Sequence, residues 1–99
     1  MGGADGFEWD DAKSERTFQE RGFDFKAAAR VFERSYIEDE DRRREYGEPR
    51  YVAIGEVEGV PITVVWTQRD GKRRIIAAWP SSNRERRTYR EHYPKESGD

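Results

Sequence analysis

Residues 50–79, RYVAIGEVEGVPITVVWTQRDGKRRIIAAW, decide the fold class. Three runs dense in Val, Ile and aromatic residues are separated by Glu58-Gly59 and Asp70-Gly71. β-Branched and aromatic side chains favour a pleated backbone, and both dipeptides suit a tight hairpin turn. The reading is an antiparallel meander, with strands over 50–57, 60–69 and 72–79. Pro61 stands near the start of the second strand, where a missing N–H donor is tolerated. Alternation in that strand sends Ile62, Val64 and Trp66 to one face, the expected core under the helices. Thr63, Val65, Thr67 and Arg69 go to the other. That second face reads either as a substrate surface or as a solvated one.

Upstream, Phe7-Glu8-Trp9 alternates apolar and polar and reads as a short strand. Asp10 or Asp11 can cap a helix over 12–21, which Gly22 stops. This helix has few apolar residues besides Ala12 and Phe18, so it belongs on the surface. Asp24 can cap a second helix over 25–33. Ala28, Val31 and Phe32 stand at i, i+3 and i+4 and share a buried face. Residues 35–37 read as a brief extended segment and 38–48 as a charged loop. Downstream, Pro80 ends the third strand. Ser82 and Glu85 form a capping box at the start of a helix reaching about Tyr93, and Pro94 stops it. The order predicts an α+β fold: an antiparallel sheet of about four strands, two N-terminal helices and one C-terminal helix. Residues 1–99 are expected to form a single domain, with flexible ends at 1–6 and 94–99.

Only 33% of the 99 residues are apolar and 40% are charged, but thirteen aromatic side chains supply a small core. With no cysteine, disulfides and thiolate metal sites are excluded. No run is long enough for a membrane span and the N-terminus does not resemble a secretion signal, so a cytoplasmic location is expected. The net charge of −2 conceals an asymmetry. Residues 1–68 hold ten basic and sixteen acidic side chains, whereas residues 69–99 hold nine and five. Such asymmetry points to a polyanion-facing surface or to a solvated charged face.

Enzyme templates mostly fail. His92 reads as an exposed helix-terminal residue, and the acids at 38–41 lack the glycine and spacing of a calcium loop. No metal and no cofactor is expected. Arginine remains: Arg50, Arg69, Arg73, Arg74, Arg84, Arg86, Arg87 and Arg90 come from the sheet and the last helix. A guanidinium stays charged and donates bidentate hydrogen bonds to phosphate. Cleaving RNA without a metal needs a group to deprotonate the 2′-hydroxyl, one to stabilise the phosphorane and one to protonate the leaving oxygen. Arginines suit the middle role. Glu85 and Tyr89 lie at i and i+4 on the last helix, with Arg86 and Arg90 on a neighbouring stripe. Trp9, Trp66 and Trp79 offer surfaces for base stacking, for the core or for a partner.

These residues fall into a pattern. Phe7-Glu8-Trp9-Asp10-Asp11-Ala12-Lys13, Gly22-Phe23-Asp24-Phe25, Gly47-Glu48-Pro49-Arg50-Tyr51 with Ile54-Gly55, Val64-Val65-Trp66-Thr67-Gln68-Arg69, Arg74-Ile75-Ile76-Ala77-Ala78-Trp79, and Glu85-Arg86 with Tyr89 follow one another in order. Over residues 7–91 the sequence resembles the BrnT family of toxins from type II toxin–antitoxin systems. The resemblance implies a RelE-like fold and a metal-independent RNA endonuclease that inhibits translation. It also implies neutralisation by a BrnA-like antitoxin, in a heterotetramer, with DNA contacted only through the antitoxin. Transferred to this chain, it makes Lys13, Arg21, Arg50, Arg69, Arg74, Glu85, Arg86 and Tyr89 the candidate catalytic surface. Lys13 and Glu85 would transfer protons, the arginines would hold phosphate and Tyr89 would contact substrate. One departure stands out. Where the family has a Lys-His pair at the end of the first helix, this chain has Glu20-Arg21. Arginine does not deprotonate in proteins and cannot replace a histidine proton shuttle. If the family histidine positions phosphate, Arg21 serves; if it does acid–base work, this chain is slower, works differently or is inert, and the alternative reading is an attenuated homologue acting as an antitoxin-binding module. A third reading, direct DNA binding by the basic helix, lacks any base-reading motif.

Overall fold

The computed structural model describes residues 2–43, 45 and 47–94. In chain order the elements are β1 (Gly2–Ala4), β2 (Phe7–Trp9), α1 (Asp11–Arg21), α2 (Phe25–Ala28), a 3-10 helix (Ala29–Glu33), β3 (Tyr36–Glu40), β4 (Tyr51–Val57), β5 (Val60–Arg69), β6 (Lys72–Pro80) and α3 (Asn83–His92). β4, β5 and β6 form the antiparallel meander read from the sequence. Both hairpins turn through two successive residues of positive φ: Glu58 at 52° with Gly59 at 81°, and Asp70 at 53° with Gly71 at 78°. That twist matches the right-handed twist of the flanking strands.

The expected antiparallel sheet of about four strands with two N-terminal helices is corrected. The sheet has six strands in the order β1-β2-β6-β5-β4-β3 and is mixed, because β2 runs parallel to β6. The chain leaves β2 through α1 and crosses the sheet before β6 forms, and a crossover of this kind permits a parallel neighbour. β1 occupies part of the segment expected to be a flexible end. It pairs antiparallel with β2, and its Gly-Gly-Ala carries no side-chain alternation to announce it. Gly2 permits the pairing: a Cβ there would come within 2.2 Å of the Trp9 indole nitrogen. β3 continues through Glu38, Asp39 and Glu40, which were expected in a loop. Charged side chains suit an edge strand because they discourage pairing with another chain. The expected second helix is α-helical for one turn and then tightens to 3-10. Residues three apart eclipse in that geometry, and Ala28 and Val31 are both fully buried. Met1 and the expected polar tail at 95–99 lie outside the described residues.

The core lies on one face of the sheet. Trp9, Ala53, Ile62, Val64, Trp66, Ile75 and Ala78 meet Phe25, Ala28 and Val31 from α2 and the 3-10 helix. Each fully buried large apolar side chain contributes about 1.5–3 kcal/mol. Asp10 accepts a hydrogen bond from the Lys13 N–H and Asp24 from the Ala27 N–H, which starts the two helices. Ser14 ties them together by accepting the Phe25 N–H at 3.0 Å.

Candidate functional site

The opposite face of the sheet carries Arg69 and Arg74, whereas Arg73 lies on the core face, its guanidinium 4.2 Å from the Phe32 ring and 4.8 Å from that of Trp66. Arg74 pairs with Thr67 across β6 and β5, and Glu8 pairs with Arg74 across β2 and β6. Tyr51 pairs with Trp66 at the start of β4, and Arg50 directly precedes it, with Thr67 bonded to the Pro49 carbonyl. Residues directly opposite on neighbouring strands share a face, about 4.8 Å apart. A row Glu8–Arg74–Thr67 therefore crosses β2, β6 and β5, with Arg50 just before the start of β4 and Arg69 and Lys72 paired in the next position of β5 and β6. A β-bulge opposite Val65 and Trp66 makes the row compatible with the rest of β6. It inserts Ile76 and shifts the alternation, so Arg74 and Trp79, five residues apart, share a face.

Two carboxylates that the sequence reading passed over organise the row. Glu8 accepts from Arg74 at 2.9 Å, with side chains only 12% and 20% exposed. Glu48 accepts from Arg69 at 3.2 Å and lies 3.9 Å from Arg50 Nε. The motif Glu48-Pro49-Arg50 held the signal for the second. Thr67 is buried and donates to the Pro49 carbonyl at 2.6 Å, which fixes the segment leading to Arg50. Asp10 links the row to α1. Its carboxyl is held below the usual range, first by the Lys13 N–H, with the charges of Lys13 and Arg74 adding to the effect. Lys13 is exposed beside Asp10 on the first turn of α1.

α3 covers the other end of this face. One Glu85 oxygen accepts from the Ser82 N–H at 2.7 Å, Trp79 Nε1 at 3.1 Å and Thr63 at 3.1 Å. Glu85 thus anchors the helix to β5 and β6. Tyr89 is buried and donates to the Ser35 carbonyl at 3.2 Å. Burial, with the Glu56 carboxylate nearby, raises its hydroxyl above the ordinary tyrosine range. Arg90 pairs with Glu56. Arg86 is exposed on α3. Thr63, under α3, is four residues from Thr67, roughly 13 Å along the strand.

The structure therefore brings Arg50, Arg69 and Arg74 together, with Lys13 linked to Arg74 through Asp10. Glu85, Arg86 and Tyr89 form a second group on α3. Arg21 stands apart from both, beside Val57, Val60, Ile62 and Pro80 at the opposite end of β5 from Arg69. Among the described residues, no cluster of three or more His, Cys, Asp or Glu side chains could hold a metal ion. No helix there is long and apolar enough to cross a membrane.

Residues 9–85 match the family described as ribonuclease toxin, BrnT, of type II toxin–antitoxin system. The matched span contains Lys13, Arg21, Arg50, Arg69, Arg74 and Glu85; Glu8, Arg86 and Tyr89 lie just outside it. A search of the curated proteins returns no match.

Proposed function

We propose, from the premise that this chain belongs to the BrnT family of ribonuclease toxins of type II toxin–antitoxin systems, that it is a metal-independent RNA endonuclease acting at the arginine row. Its cutting of RNA inhibits translation, and a BrnA-like antitoxin neutralises it. The observation that supports this reading is the convergence of Arg50, from the segment before β4, with Arg69 and Arg74, from the two arms of the β5–β6 hairpin. Three guanidinium groups can cradle a scissile phosphate and stabilise the charge of the phosphorane. The 2′-oxygen attacks phosphorus as its proton leaves, and the bond to the 5′-oxygen breaks as that oxygen gains a proton. Glu48, whose carboxylate reaches Arg50 and Arg69, is suited to accept the first proton. Lys13, at the Asp10 edge of the row, is suited to donate the second. Glu85, with one oxygen engaged by three donors, supports α3 rather than the proton transfers, and Tyr89 anchors the same helix. Arg86 extends the basic surface across α3.

The test is inducible expression of the chain alone in bacteria, following growth and total RNA, beside Arg50→Ala and Arg69→Ala. Growth arrest with RNA decay is expected from the natural chain. A loss of at least about 100-fold in cleavage is expected from each variant, in line with removal of a donor to a developing oxyanion. Full cleavage by both variants would remove the row from the mechanism. An inert natural chain that still binds antitoxin would instead make it an attenuated homologue, the outcome that Glu20-Arg21 raises.

A further inference from the structure

On the helix-bearing face, the end of α1, the start of α2 and the Glu58-Gly59 hairpin enclose an open hollow of about 490 Å³. Its apolar lining includes Phe18, Phe23, Ala27, Val60, Ile62 and Pro80. Phe18 is 49% exposed and Val60 47%, the highest values for large apolar side chains among the described residues, and both line this hollow. Exposed apolar surface gathered in one place marks a site of interaction. The charged rim is nearly balanced. Arg30 pairs with Glu58 at 3.2 Å and Glu33 at 3.6 Å, and Asp24 accepts the Ala27 N–H. Arg21 is the exception: its side chain has no hydrogen bond or ion pair among the described residues. The hollow thus presents an apolar floor with two arginines and two carboxylates on its rim, among which the Arg21 guanidinium is free to take a partner.

We infer that this hollow is the docking site of the antitoxin, which seats an amphipathic segment there. The inference rests on the family reading above, which supplies an antitoxin as partner. Apolar side chains of the segment lie between Phe18 and Val60, and a carboxylate meets Arg21. An apolar groove flanked by charge is the surface that amphipathic segments recognise, and the charge sets orientation and choice of partner. The site lies on the opposite face of the sheet from the arginine row. Glu20-Arg21 then departs from the family at the partner surface, so the change bears on which antitoxin is accepted.

The experiment measures binding of the full chain to the protein encoded by the neighbouring antitoxin gene, using purified proteins and calorimetry. Phe18→Asp and Arg21→Glu are compared with the natural chain. Each is expected to weaken binding by roughly tenfold or more, the scale of an interface anchor, while thermal melts stay close to that of the natural chain. Phe18→Asp should also keep growth arrest when expressed alone and escape rescue by the antitoxin. Unchanged affinity in both variants overturns the docking site and leaves the toxin reading standing. No binding by the natural chain overturns the toxin–antitoxin reading, and the docking site with it. A concentration-dependent dimer of the chain alone, lost in Phe18→Asp, would assign the hollow to a second copy and overturn the antitoxin assignment.

Discussion

Gly55 illustrates how much a single position constrains. A Cβ there would meet Val31 Cγ1 at 2.9 Å, with the Val31 carbonyl and Tyr36 Cβ both at 3.2 Å. The 3-10 helix lies against β4 at this point, and its backbone has no room to retreat. Gly55→Ala is expected to cost about 1–3 kcal/mol, the range for forcing atoms into a packed core, read as a lower denaturation midpoint at unchanged slope. Tyr89 carries a different signature. Burial favours its neutral form, so its contribution to stability is fully present below the ordinary value of 10.0 and fades as pH rises through the raised value. Near pH 7, Tyr89→Phe should be less stable by about 1 kcal/mol through loss of the bond to Ser35. Above pH 10 the natural chain should lose that advantage, whereas a constant gap across the titration would show that the phenol ionises freely in the fold. At this scale the sequence showed which arginines to watch but not their partners. Arg74 and Glu8 are 66 residues apart, and nothing local announces a contact of that span.

α3 is an element whose local signals and long-range ties act together. Its capping box is complete, with Ser82 accepting the Glu85 N–H and Glu85 accepting the Ser82 N–H. Ser82→Ala should cost about 1 kcal/mol, the usual loss of an N-cap. Glu85→Ala should cost more, because Trp79 Nε1 and Thr63 lose an acceptor as well as the cap. Hydrogen exchange along α3 should rise further in Glu85→Ala than in Ser82→Ala, and equal exchange would mean that the cap alone holds the helix. The box, the two hairpin turns and the meander were legible because each is written in residues a few positions apart. The parallel pairing of β2 with β6 was not legible, since it depends on a crossover of more than sixty residues. Nor was β1, whose Gly-Gly-Ala carries no alternation. The bulge in β6 was hidden for a related reason. A run such as Ile75-Ile76-Ala77-Ala78 is apolar throughout, so an extra residue leaves no mark on its pattern, although it decides which face Arg74 shares with Trp79.

Across the whole molecule, charge is arranged by face rather than by position in the chain. The acidic first part of the sequence places Glu8 and Glu48 within the arginine row and Glu38, Asp39 and Glu40 along the β3 edge. Arg50 also comes from that acidic part, so the split at residue 68 only partly anticipated the basic surface. A net charge of −2 gives little general attraction for RNA. Binding should therefore depend on the few local contacts of the proposed cradle, and its response to salt should count them. Single strands release counterions with a slope of about −0.7 in log K against log salt for each phosphate contact, so three arginine contacts predict a slope near −2. The measurement is a titration of a short single-stranded RNA with a non-cleavable backbone, repeated from low to moderate salt. Arg50→Ala and Arg69→Ala should each lower the steepness by roughly 0.7. An equal drop in Arg86→Ala would extend the RNA path over α3. A natural slope that survives loss of both Arg50 and Arg69 would move the phosphate path off this face of the sheet.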